Sequence, residues 1–455
     1  MKKKLLSLLL ASTMALTVCG GLAACGDKDK GTGGGAAGLT PSEFNKVTNL
    51  DDPLANKDGE TNDKVAACEL KVWGPEELRS FYTGLFTTFK SDSYHGGKYS
   101  NVTITYEAME EGNTLTNLET DPSAGADVFF FASDHAATMI SKNYLAPLRG
   151  ATGSYYSAAV TQRDGAGNVS SVTKDGYAYA FPATNDNGYF LVYDKEKLNE
   201  TQVQKLDDIL AVANTENASF MFRYGTGFYA ATFFFGEGLG CDARGADSDF
   251  SEYGSDAAER GAKATIKYIN SGYCQDGTTP KIIDIGDNGA SVDGIKNGTL
   301  IAGVCGIWEA PAAADLTKIG CTKLPTFTST DGTQKQMGAF FGGKYCGVNA
   351  RSANSNVAMA LANFMTNGAA QQARFEEAQT GPSNKTVAER PEVKANAALA
   401  ALGAQVAACG VAQGNVPQSW WSGWETYIDD IEAGNVTEAN PKLADLVSLL
   451  TPTIA

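Results

Sequence analysis

The chain has 455 residues, of which 43% are hydrophobic and 19% charged, the composition of an ordinary globular protein. Its formal charge is −16, and loss of a leader carrying three lysines would make it −19. Nucleic acid and anionic lipid surfaces both need basic patches, so neither is an expected partner.

The chain begins "MKKKLLSLLLASTMALTVCGGLAACGDKDK". Three lysines, an apolar run from Leu5 to about Val18 and then small residues have the form of a secretory leader, assigned to residues 1–24. The run is too short for a spanning helix, and no later one is long enough. "LAAC", ending at Cys25, resembles a bacterial lipobox, which implies lipidation of that cysteine. Residues 25–64 continue from Cys25 into "GDKDKGTGGGAAG", a polar, glycine-rich stretch that reads as a flexible tether. Together these features predict a body held at the extracellular face of the cell membrane through its lipid anchor alone.

Some 390 residues remain, enough for two lobes with cores of their own. "ELKVW" is a short strand, and "EELRSFYTGLFTTFKSD" carries apolar residues at helical spacing. "VTITYEAM" alternates as a strand does, and "ADVFFFAS" is a continuous apolar run suited to a buried parallel strand. A helix follows in "DHAATMISKNYLAPL". "YAYAFPAT" and "YFLVYDKEKL" read as crossing strands around a turn. Later come a helix in "AAERGAKATIKYINSG", strands in "KIIDIG" and "LIAGVCGIW", two helices in "NVAMALANFMTNGAAQQARFEEAQTG" and one in "KANAALAALGAQVAACG". Strands alternating with helices predict an α/β architecture with a largely parallel sheet. Ligands of such sheets bind beyond the carboxyl ends of the strands.

Seven cysteines follow Cys25, and an odd count leaves one thiol free. Cys241 with Cys274, flanking one helical segment, and Cys305 with Cys321 are the pairs considered. With two histidines in the chain and no cysteine pair at zinc spacing, no metal site is predicted. No cofactor is predicted either. There is no GxSxG elbow, Walker loop, HExxH or GxGxxG opening a helix after a strand. Among fifty-two acidic residues a glycosidase pair could be hidden, but no motif points to one, and the expectation is not an enzyme.

Aromatic residues gather where strands end: "VFFFASD", "GFYAATFFF", "GIWEAP" and "SWWSGW". Phe129, Phe233 and Phe235 read as core. Phe131, Trp308 and Trp421 are each followed at once by small or polar residues, as at the rim of a cleft. Rigid aromatic walls with a few polar groups suit a sugar, whose ring faces stack on aromatics while carboxylates and amides bond its hydroxyls. Glu76, Glu77 and Asp134 are the acidic candidates.

Four segments, "ADVFFFASDHAATMISKNYLAPL", "FPATNDNGYFLVYDKEKL", "GIWEAPAAADLTKIGCTKLPTF" and "NVPQSWWSGWETYIDDIEAG", in this order and spacing, resemble extracellular solute-binding proteins of the maltose/maltodextrin-binding type. These are the capture subunits of carbohydrate ABC importers. The resemblance implies a periplasmic-binding-protein-like fold of type II: two discontinuous α/β lobes, a hinge and a ligand cleft between them. The lobes would be 65–185 with 341–386, and 186–340 with 387–455, crossing near Asn185–Asn187 and Gly338–Phe341. It implies a monomer that captures oligosaccharide and delivers it to the transmembrane permease. α-Linked malto-oligosaccharides are favoured, with xylo- and manno-oligosaccharides as alternatives and a hydrolase or surface adhesin further off.

Carried over by position, Phe131 stands where a stacking tryptophan does, and Asp134 where a hydroxyl-binding aspartate does. His135 replaces an arginine. Phe228 and Tyr229 match an aromatic pair, and Trp308 and Trp421 the two tryptophans of the sugar platform, with Glu309 beside the first. Glu76 and Glu77 fall near an acidic–basic pair of which only the acid remains, and Asn187, with Asp186 beside it, replaces a glutamate. Trp420 is expected to pack behind Trp421, and Trp424 is open to either role.

Overall fold

The computed structural model of the protein describes residues 63–148, 156–163, 169–269, 282–284 and 290–452. The leader, Cys25, the tether up to residue 62 and Cys274 lie outside them.

Strands β1 (Cys68–Gly74), β2 (Val102–Ala108) and β3 (Val128–Ala132) pair in parallel in the order β2-β1-β3. The first four residues of β3 are buried on both faces, which is why its sequence is a continuous apolar run. Helix Arg79–Phe89 lays Phe81, Tyr82, Leu85, Phe86 and Phe89 on this part of the sheet, the stripe expected of a surface helix.

The sheet continues through β4 (Ala180–Asp194), β5 (Ser219–Met221), β6 (Ile282–Ile283), β7 (Leu300–Gly306), β8 (Ile319–Thr322), β9 (Ala339–Val348) and β10 (Gly410–Ala412). Its order is β2-β1-β3-β9-β4-β7-β5-β6, with β8 also on β4 and β10 on β9. β9 runs antiparallel to both β3 and β4, and β4 antiparallel to β7 and β8. The expected pair of crossing strands around a turn is thus a single fifteen-residue strand, β4. Its polar middle, "TNDNG", carries no turn because β9 pairs along it, Phe341 opposite Gly188 and Gly342 opposite Asn187.

The described residues hold two large apolar cores. One gathers Leu70, Val72, Phe89, Phe130, Val348 and Phe364; the other Leu206, Phe233, Phe234, Val304, Trp420 and Trp424. β4 gives Phe181 and Ala183 to the first and Tyr189 and Leu191 to the second. β9 gives Cys346 and Val348 to the first, Ala339 and Phe340 to the second. Both long strands therefore pass from one core to the other through their middles.

Cys305 and Cys321 are free thiols, as is Cys241, against the pairings considered from the sequence. Cys305 faces Phe190 on one edge of β4 and Cys321 faces Val192 on the other, so a whole strand separates them. Two strand spacings amount to about 9.6 Å, beyond the reach of a disulfide.

Candidate ligand-binding cleft

Between the two cores lies a cleft of about 1280 Å³. Strand ends, a helix start and the middles of β4 and β9 feed it. β3 runs into the tight turn Ser133–His135, which brings Asp134 and His135 to the cleft. β7 runs into the turn Ile307–Glu309, where the Gly306 N–H bonds Glu309 Oε1 at 3.4 Å, and Trp308 projects from that turn into the cleft. Helix Gln418–Glu432 starts at the cleft and presents Trp421.

The second core supplies an aromatic wall. Phe228 lies 6.1 Å from Trp308 between ring centroids, and 5.9 Å from Phe340, which in turn lies 6.0 Å from Trp421. Phe228, Trp308 and Trp421 are only partly buried, with Tyr229 behind them. Burial raises the Tyr229 pKa well above the ordinary tyrosine value, with the Glu309 carboxylate adding to it, so the phenol stays neutral.

The opposite wall is polar. Asp134 is 4% exposed, its Oδ2 is 3.5 Å from His135 Nε2, and its Oδ1 has no hydrogen-bond partner. Burial raises its pKa, with His135 acting in the other direction. Asn187 donates to Gln413 Oε1 at 2.8 Å on the cleft floor. Glu77, Glu110 and Glu111 line the same side with Lys344, whose Nζ is 3.3 Å from Glu111 Oε1. The Glu110 pKa is raised by burial first and then by its neighbours Glu77 and Glu111. Among the described residues no group of three or more His, Cys, Asp or Glu side chains is placed to hold a metal ion. None of the described helices is long and apolar enough to cross a membrane.

The family model for bacterial extracellular solute-binding proteins matches residues 85–401. The chain belongs to that family. Solute-binding proteins like it include the galactooligosaccharide-binding protein of Bacillus subtilis strain 168, 24% identical over 344 residues that cover 73% of this chain and 77% of that one. A chain solved with acarbose is 25% identical at a TM-score of 0.70, covering 85% of this chain and 99% of the other. The maltodextrin-binding protein MalE1 of L. casei BL23, solved without ligand, is 20% identical at a TM-score of 0.67, with 86% and 100% covered. The α/β fold expected from the sequence is the fold of these proteins.

In this solute-binding protein the cleft brings together Glu77, Asp134, His135, Asn187, Phe228, Tyr229, Trp308 and Trp421 from the predicted set. Five others sit elsewhere. Phe131 is fully buried and stacks on Tyr345 of β9 at 5.9 Å, because it still belongs to β3, before the turn that opens on the cleft. Glu76 turns to Arg79, accepting from its Nε at 2.8 Å. Asp186 is buried and accepts from the Gly381 N–H at 2.6 Å, lining a smaller adjoining cavity of about 160 Å³. Glu309 is buried behind Trp308 in its turn. Trp424 packs with Trp420 in the core, 4.8 Å from Phe234 and 5.6 Å from Trp420.

The sequence reading missed Glu110, Glu111, Arg223, Lys344 and Gln413 in the cleft lining. Lys344 did carry a signal, being the lone charge in the strand "AFFGGKYCGV".

Proposed function

We propose that this is the substrate-binding lipoprotein of a carbohydrate ABC importer, anchored at Cys25 and tethered through residues 26–64. Oligosaccharide enters the cleft, and the lobes 65–185 with 341–386 and 186–340 with 387–455 close on it about β4 and β9. Only the closed form touches the ligand from both sides, so the ligand stabilises that form, which then docks on the permease. The protein acts as a monomer and performs no chemistry on the sugar.

The observation that carries this reading is the facing of two unlike walls. The partly buried rings of Phe228, Trp308 and Trp421 stand opposite the acids and amides of Asp134, Glu77, Glu111 and Asn187. Malto-oligosaccharides are the favoured ligands, in keeping with the relatives solved with acarbose or described as maltodextrin-binding. A galacto-oligosaccharide is the second reading, favoured by the Bacillus relative.

Calorimetric titration of residues 26–455 with maltotriose, a β-galactotriose, xylotriose, mannotriose and cellotriose tests this. Binding of maltotriose alone is expected, and Trp308→Ala or Trp421→Ala should each weaken it on the order of tenfold or more, by loss of a stacked ring. Preference for another member moves the substrate. Heat from none of them, or release of reducing ends on prolonged incubation, would overturn the reading.

A further inference from the structure

Lys344 is the one charged residue of β9. It sits in the middle of β9, in the stretch that passes between the cores, at an irregularity where the register to β4 shifts on both sides of it. Gly343 makes that shift possible: a Cβ there would come within 2.6 Å of the Thr184 carbonyl oxygen. Such irregularities re-aim a side chain and are common beside functional sites. Here the side chain is directed into the cleft, where it stands between the main space and the adjoining 160 Å³ cavity, lining both together with Glu77, Glu111 and Trp308.

Its surroundings define what it can do. The ammonium lies 3.3 Å from Glu111 Oε1 and 5.9 Å from the centroid of the Trp308 ring, with the side chain 19% exposed. Burial works against its charge, and the carboxylates of Glu111, Asp186 and Glu77 outweigh it, so its pKa lies above the ordinary lysine value. A charged ammonium has three donors. The one ion pair it makes among the described residues is with Glu111.

We infer that Lys344 is a ligand-contacting, specificity-setting residue of the cleft, donating to a hydroxyl of the sugar ring stacked on Trp308 while Glu111 holds it in place. This rests on the oligosaccharide reading of the cleft. It assigns a cationic donor to a strand that passes between the cores. The pair would read one hydroxyl as donor and acceptor together: Lys344 gives a hydrogen bond to its oxygen and Glu111 takes one from its hydrogen. A ring lacking that hydroxyl leaves both charges poorly matched, which is how polar sites discriminate most strongly.

The test uses calorimetry on residues 26–455 with the panel member that the unaltered protein binds tightest and that sugar's singly deoxygenated analogues. Lys344→Met should bind the parent sugar about tenfold to a hundredfold more weakly, and Lys344→Arg within a few-fold of the unaltered protein. One deoxy analogue should be penalised by the unaltered protein and distinctly less by Lys344→Met. A merely structural lysine would not reduce the penalty for one particular hydroxyl. Should Lys344→Met fail to fold by its melting curve, Lys344→Gln takes its place. Parent binding within twofold of the unaltered protein, or an undiminished penalty for every deoxy analogue, overturns the inference alone. Silence of the unaltered protein across the panel overturns the oligosaccharide reading and this inference with it.

Discussion

At the scale of one residue, Asp134 shows how the proposed binding site would trade stability for readiness. Its carboxyl is buried, one oxygen has no partner, and its pKa is raised from the ordinary 3.8, chiefly by burial. Below that ordinary value the group is protonated whether the chain is folded or not, and burial carries no charge cost. As pH rises through the window between the ordinary and the raised value, the unfolded chain releases its proton more readily, and stability falls. Above the raised value the cost is complete. Asp134→Asn should therefore stabilise the protein at pH 7, by about 1–3 kcal/mol, the usual cost of a buried polar group left unpaired. The gain should vanish on acidification toward pH 4. The same change should weaken sugar binding on the order of tenfold, by loss of a charged acceptor. Denaturant midpoints from pH 7 to pH 4, read beside calorimetry, check both halves. An asparagine variant that is less stable at pH 7, or whose gain is indifferent to pH, would contradict the account.

At the scale of elements, helix Gln418–Glu432 explains what the three neighbouring tryptophans do. Trp420 and Trp424 are four residues apart, so they share a helix face, and that face is in the core. Trp421 lies a hundred degrees round and meets the cleft. The sequence alone made this separation available, since it follows from spacing once the helix is accepted. Phe131 was harder to read. In a strand buried on both faces alternation vanishes, and nothing in "VFFFAS" says which phenylalanine ends the core. β3 and β7 were legible for the same reason that Phe131 was not: strands buried on both faces announce themselves as apolar runs. β4 was hidden because its middle serves neither core. There Asp186 bonds the Gly381 N–H and Asn187 bonds Gln413, and polar residues that span a cleft floor look like a turn. The helix is also held by backbone contact: a Cβ on Gly227 would lie 2.7 Å from the Trp421 Cα and 2.8 Å from its carbonyl oxygen. Backbone cannot swing aside as a side chain can, so Gly227→Ala should push the helix start away. A loss of about 1–3 kcal/mol is expected from such overpacking. Sugar affinity should fall with it, because Trp421 moves with the helix. Unchanged affinity in a destabilised Gly227→Ala protein would show that Trp421 does not contact the ligand.

For the whole molecule the question is what biases the closure proposed about β4 and β9. Among the described residues, the side chain of Asn415 reaches from one side of the cleft to the other. With its amide turned as the surrounding donors and acceptors require, Asn415 donates from Nδ2 to the Asp134 carbonyl oxygen at 3.1 Å. Its own backbone is tied to the other side, the Asn415 N–H bonding the Ala243 carbonyl at 3.1 Å and its carbonyl accepting from the Gly245 N–H at 2.8 Å. Thr138, on the helix that follows Asp134, lies 3.4 Å from the same amide. A contact that exists only when the walls are close favours the closed form, and its removal lowers the closed fraction of the free protein. The apparent dissociation constant is the intrinsic one divided by that fraction, so affinity falls without any ligand contact being lost. A single hydrogen bond contributes about 0.5–1.5 kcal/mol, which sets the expected loss in Asn415→Ala at about twofold to twelvefold. Small-angle scattering separates this from a direct loss of contact. The free variant should have a larger radius of gyration than the free unaltered protein, and the two should coincide when saturated with sugar. Equal radii in the free state with equal affinities would mean that Asn415 carries none of the closure energy. In that case the ligand alone, through Trp308, Trp421 and the acids opposite, would have to draw the two cores together.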